Sequence, residues 1–170
     1  MAAATPSRKQ ARRDAVFLLY QTDVTDQTMV ELVEGQRLRE GYGPDEFTIK
    51  AVAGVLASLE ELDAVLQAHS RGWALDRVAP LERNILRLSL WEIQNDVTPP
   101  EVAIDEAVRL AKRYSTDEAG AFVNGVLGGV VRGAEEVQEE EVAPPEGADA
   151  APGQEAPPEE EETQAEEDDG

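Results

Sequence analysis

Residues 81–93, LERNILRLSLWEI, place apolar side chains around most of a helical circumference. At helical spacing Leu81, Ile85, Leu88 and Ser89 form one stripe and Leu86, Leu90 and Ile93 a second, while Trp91 widens the arc. Only a narrow strip holding Glu82, Arg83 and Arg87 is left to face water. A helix apolar on most sides must be surrounded by partners, so this chain is expected to fold as helices around a buried rod. Pro80 suits the first turn, where its missing N–H costs nothing.

The flanking segments supply those partners. Ser7 to Gln21 has Ala11, Ala15, Leu18 and Leu19 on one face, and its first two turns are basic, with Arg8, Lys9, Arg12 and Arg13. Arg8 and Arg12, and Lys9 and Arg13, stand four apart, which costs a few tenths of a kcal/mol per like-charged pair. The helix dipole also disfavours cations at that end. A surface that accepts these costs points to an anionic partner, nucleic acid before simple solubility. A short helix is predicted over 28–39, with Leu32, Val33 and Leu38 as contacts and Gly41 and Gly43 closing it. Pro44-Asp45-Glu46 opens another, whose apolar series Val52, Val55, Leu56, Leu59, Leu62 and Leu66 runs on for several turns. Gly54 within it is a close-packing point or a bend. His69 is read as a helix-end residue and Trp73 as a plug between two helical halves.

Beyond the rod, Pro99-Pro100 blocks continuation. The next helix, to Tyr114, buries Ile104, Ala107, Val108 and Ala111, and sets Asp105 four residues before Arg109. Arg109, Lys112 and Arg113 form a second basic cluster, either a solvated face or a further anion site. Ser115 to Glu118 fits a capping box. Phe122, Val123, Val126, Leu127 and Val130 then define a last helix, in which Gly125 is expected to allow a close helix contact and Asn124 to be a buried tie.

Charge divides the chain. Residues 1–133 hold all 15 Lys and Arg and 20 of the 36 Asp and Glu, while 134–170 hold the other 16 acids, with Pro, Ala and Gly and almost no large apolar residue. Such a composition cannot offset ordering entropy and is expected to be disordered. The predicted organisation is a loose stretch 1–6, one helical domain 7–133 and an acidic tail 134–170. The tail could fold back on the basic first helix as a polyanion mimic, although a solubility role is the simpler reading.

The chain has no cysteine, one histidine and no metal-ligand cluster, phosphate loop or hydrolase elbow. Catalysis, a cofactor and a bound metal are therefore not expected. No apolar run is long enough for a membrane span, and no secretory signal is seen, so the expected address is cytoplasmic.

Taken in order, several segments resemble the NusB family of bacterial transcription antitermination factors. They are ARRDA at 11–15 with LYQ at 19–21, GWALDR at 72–77, LERNILRL at 81–88 with Glu92, PPEVAIDEAVRLAK at 99–112, and FVNGVL at 122–127. The resemblance spans Arg8 to about Val131. It implies an all-α fold of about seven helices in two small antiparallel sub-bundles around the central helix. It also implies binding of the boxA sequence of nascent ribosomal RNA together with the ribosomal protein NusE, within the RNA polymerase elongation complex. Carried onto matching positions, it places RNA contacts at Arg8, Lys9, Arg12 and Arg13, sets Tyr20 and Phe122 on the RNA side, and puts an acid linked to activity at Glu118 and the protein contact at Glu82. The second basic cluster adds Lys112 and Arg113 as candidate RNA contacts. The chain departs from the family pattern at Asp105, where asparagine is usual, and in its acidic tail. Two other readings remain: a helical protein-interaction module, or an RNA-targeting domain like that of certain rRNA cytosine methyltransferases. The second would need a cofactor domain and a catalytic cysteine.

Overall fold

The computed structural model describes residues 5–142. Among them are seven α-helices: α1 (Arg8–Val24), α2 (Met29–Glu40), α3 (Glu46–Ala57), α4 (Leu59–His69), α5 (Pro80–Gln94), α6 (Pro100–Tyr114) and α7 (Asp117–Val142). A single 3₁₀ turn, Leu75–Arg77, precedes α5.

Local chemistry sets most of the boundaries. Ser7 and Gln10 cap α1 reciprocally, and Thr28 and Glu31 do the same for α2, each pair satisfying backbone donors that the helix cannot. The Asp45 carboxylate accepts from Thr48 N at 2.8 Å at the start of α3. Gly41 closes α2 at φ 77°, a left-handed conformation that glycine adopts without penalty. The apolar series predicted as one long helix is broken at Ser58 into α3 and α4. The cap of α7 is Thr116, whose Oγ1 accepts from Ala119 N at 3.0 Å, and not Ser115.

α5 is the axis. Ile85, Leu86, Leu88 and Leu90 are fully buried. One group of helices, α1 and α3 with α2 against α1, packs on one side of α5, and α4, α6 and α7 pack on the other. The two groups are the expected sub-bundles, and α6 and α7 form the most extensive helix pair within them. Gly54 of α3 lies under the Trp91 indole, where a Cβ would come within 2.4 Å of the ring. It is the close-packing point, not a bend.

Several expectations fail, each for a visible reason. Arg87 does not face water: its guanidinium grips Asp63 through Nε (2.7 Å) and Nη2 (2.6 Å) and reaches Asp23 at 3.3 Å. Trp73 plugs nothing, because the turn through Arg71 (φ 41°) and Gly72 (φ 85°) leaves it 62% exposed. Leu38 stands in solvent, Asn124 is exposed, and the space beside Gly125 is open. Arg109 meets Glu106 at 3.7 Å rather than Asp105. α7 continues past Gly133 to Val142, because a helix nucleated by its packed first half propagates cheaply through good formers such as Ala, Glu and Gln. The expected disorder and fold-back of the rest of the tail concern residues 143–170, which lie outside the described residues.

Asp23, at the end of α1, binds that helix to α5. Its Oδ2 accepts from Arg83 Nη2 (2.8 Å), Asn84 Nδ2 (2.9 Å) and Arg87 Nη1 (3.3 Å). Burial alone would raise its pKa. The bonds from Arg83 and Asn84 and the charges of Arg83 and Arg87 outweigh that and hold the carboxyl below its usual range. A depressed folded pKa stabilises the fold above the unfolded carboxylate value, and the contribution is lost as pH falls through the folded value. Asp23→Asn should therefore flatten the acid limb of a urea-midpoint profile taken below about pH 4. An acid limb identical to that of the wild type would contradict this role.

Candidate nucleic-acid interface

The helical period of α1 sorts its four predicted cations. Ala11, Ala15, Val16, Leu18 and Leu19 turn inward, and Arg12 goes with them. Thr48 Oγ1 donates to Ala11 O at 3.0 Å, fixing the first turn of α1 on α3. Arg12 is 3% exposed and makes a two-pronged bond to Glu92, Nε to Oε2 and Nη2 to Oε1, both at 2.8 Å. Thr98 Oγ1 donates to the same carboxylate at 2.8 Å. Burial alone would lower the Arg12 pKa, but the bond and charge of Glu92, with Glu106 beyond, raise it. Arg12 is therefore withdrawn from the surface. The expectation that it joins Arg8, Lys9 and Arg13 in an outward basic cluster is corrected, because an inward position on α1 faces the buried Glu92 of α5.

The outward cations meet those of α6. Lys9 Nζ and Arg109 Nη1 each lie 3.7 Å from Glu106 Oε1, so a carboxylate of α6 brings together bases a hundred residues apart in sequence. Farther along α1, Arg13 is paired with its neighbour Asp14 at 2.8 Å. Phe17 meets Tyr114 edge-on at 5.0 Å, and the Arg113 guanidinium lies over the same tyrosine ring at 5.5 Å. Lys9, Arg13, Arg109 and Arg113 thus border one face, floored by Glu106 and Tyr114. Lys112 is set off toward α7, its stem lying over Gly120, where a Cβ would come within 2.6 Å of Lys112 Cγ. Arg8 takes a different direction, stacking its guanidinium over Phe47 at 4.1 Å beside a cavity of about 640 Å³ that Lys50 also lines.

The remaining predicted residues collect elsewhere. Glu82, Glu118 and Phe122 line one groove of about 360 Å³ with Trp73, Arg77 and Thr116, between the start of α5 and the start of α7. Glu82 Oε1 accepts from Ser115 Oγ at 2.8 Å. The structure therefore places Glu118 and Phe122 beside Glu82, not beside the basic face. Tyr20 is half-buried on α1. Trp73, expected to be a buried plug, and Arg77 were missed as candidates. Glu106 was missed because adjacent acids at 105 and 106 look equally solvated, whereas only Asp105 is exposed. Among the described residues no group of His, Cys, Asp or Glu could hold a metal ion, and no helix is long and apolar enough to cross a membrane.

The family model for NusB matches residues 9–132, a range that holds Lys9, Arg13, Arg109 and Arg113 of the basic face and the groove from Trp73 to Phe122. The chain belongs to the NusB family. It is 46% identical over 132 residues to the transcription antitermination protein NusB of Rubrobacter xylanophilus, covering 76% of this chain and 91% of that one. It is 42% identical over 125 residues to NusB of Saccharopolyspora erythraea, covering 72% and 84%. Among solved structures it resembles a chain in the crystal structure of the antitermination factors NusB and NusE in complex with dsRNA. That match has 31% identity and a TM-score of 0.65, over 74% of this chain and 96% of that one. It also resembles NusB from Aquifex aeolicus in solution, at 31% identity and TM-score 0.63, over 84% and 98%. This NusB-family chain is accordingly a transcription antitermination factor.

Proposed function

We propose that this NusB-family chain binds boxA of nascent ribosomal RNA jointly with the ribosomal protein NusE. Within the cytoplasmic RNA polymerase elongation complex, it then promotes read-through of ribosomal RNA operons. The observation that carries the RNA half is the convergence of Lys9 and Arg13 of α1 with Arg109 and Arg113 of α6 on one face. Flexible cations beside an aromatic ring suit a single strand, whose phosphates take the charge and whose bases can stack. The protein half is assigned to the groove at Glu82, where exposed Trp73 and half-buried Phe122 offer aromatic anchors beside charged Arg77, Glu82 and Glu118. Aromatic and arginine side chains of this kind dominate protein contacts. A solved relative with NusE and RNA in one complex supports pairing the two halves.

Titration of labelled boxA RNA with and without NusE tests this reading. The full chain alone should bind weakly, since its bases are few and partly paired. NusE should tighten binding, and by linkage RNA should tighten the contact with NusE by the same factor. Equal RNA affinity in both titrations would refute joint binding.

A further inference from the structure

Glu106 has surroundings unlike those of any other carboxylate on the basic face. Its side chain is 14% exposed, recessed beneath Lys9 and Arg109, which are each 66% exposed. Both cations stand 3.7 Å from its Oε1, and buried Arg12 Nη1 stands 4.0 Å from Oε2. All three separations lie outside hydrogen-bond reach, so these are charge contacts without directional bonds. The contrast with Glu92 is sharp, since Arg12 holds that carboxylate through two bonds at 2.8 Å. Glu92 is locked, whereas the two outer partners of Glu106 can leave it.

We propose that Glu106 is a resident counter-ion that sets the RNA affinity of the basic face. Lys9 and Arg109 rest on it when no RNA is present and swing outward to the phosphates of a bound strand. Arg12 stays beneath, so Glu106 keeps a cationic partner throughout the exchange. Every phosphate contact made by Lys9 or Arg109 is thereby discounted by the attraction it gives up. Because the discount acts on backbone contacts, it falls equally on every sequence. Contacts to phosphate position a strand without reading it, so Glu106 scales affinity and leaves the preference for one sequence over another unchanged. Purely electrostatic binding to unrelated RNA, which has little affinity to spare, is pushed below working concentrations. This inference rests on the RNA reading of the face given above.

The test uses the full chain with NusE, titrated against a boxA oligonucleotide and an oligouridine of equal length. Glu106→Gln should tighten both by the same factor, roughly three- to tenfold at low salt, the range expected for freeing two exposed ion pairs. The gain should shrink toward physiological salt, where screening acts within about 8 Å. Glu106→Asp should stay near the wild type. In a background carrying Lys9→Ala and Arg109→Ala, Glu106→Gln should do nothing, a result that a merely structural role would not give. Unchanged or weaker RNA binding by Glu106→Gln, a persisting gain in that background, or an altered boxA-to-oligouridine ratio would each overturn the proposal. If the wild type binds neither RNA, the RNA reading of the face fails first, and this inference falls with it.

Discussion

Arg12→Ala should cost about 3–5 kcal/mol of folding stability, read as a fall in the urea midpoint with an unchanged slope. The loss comes less from the missing arginine than from what it leaves behind. Glu92 is fully buried, and without Arg12 its charge keeps, among the described residues, only the hydroxyl of Thr98 as a donor. Removing one partner of a buried pair strands the other, and the stranded charge, cut off from water, accounts for most of the loss. Arg12→Lys should also be costly, because a single ammonium cannot reproduce a two-pronged bond to a carboxylate. The double replacement Arg12→Met with Glu92→Met should recover much of the loss, since neither charge is then stranded. A change below about 1 kcal/mol for Arg12→Ala, the range of an exposed pair, would show that this pair is open to water. The same variants separate two roles for Arg12. If it touched RNA directly, the double replacement would regain stability and still lose RNA affinity.

That case shows where the sequence was informative and where it fell short. The periodicity of 81–93 was sufficient to predict a central helix, because apolar positions declare themselves one residue at a time. Capping was read less well: the box expected at Ser115 is one residue off, since Thr116 caps α7, and the caps at Ser7, Thr28 and Asp45 were not read although their partners lie three residues away. Charged residues were not legible. Arg12 and Arg87 look like surface groups in sequence, and their burial depends on Glu92 and Asp63, which lie 80 and 24 residues away. Nothing local to an arginine reveals a distant carboxylate. Trp73 failed in the opposite direction, because size alone suggested burial while the left-handed turn before it points it outward. The two basic clusters were each visible, but their meeting across Glu106 is a product of the α1–α6 packing. The groove at Glu82 is likewise tertiary: Glu82, Glu118 and Phe122 were named separately through the family resemblance, and only the fold sets them side by side.

Replacing Lys9, Arg13, Arg109 and Arg113 together with alanine should weaken RNA binding by roughly two orders of magnitude at physiological salt. For a single strand, the slope of log K against log salt is about −0.7 per phosphate neutralised, so four contacts correspond to about −3. At about 0.15 M salt the release of counterions from four phosphates is worth approximately 200-fold in affinity, or about 3 kcal/mol. The fold should be little affected, because Lys9, Arg109 and Arg113 are exposed and the ion pair of Arg13 is with its chain neighbour Asp14. A thermal melt close to that of the wild type is therefore the necessary control. Splitting the variant gives a sharper result. The α1 pair and the α6 pair should each remove about half of the slope, since each helix contributes two cations to the face. If the α1 pair removes the whole slope, α6 is an ordinary solvated surface and the convergence at Glu106 has no part in RNA binding. If all four replacements leave the slope unchanged, the strand runs over Arg8 and Lys50 beside Phe47 instead, where α1 sets a cation over an aromatic ring.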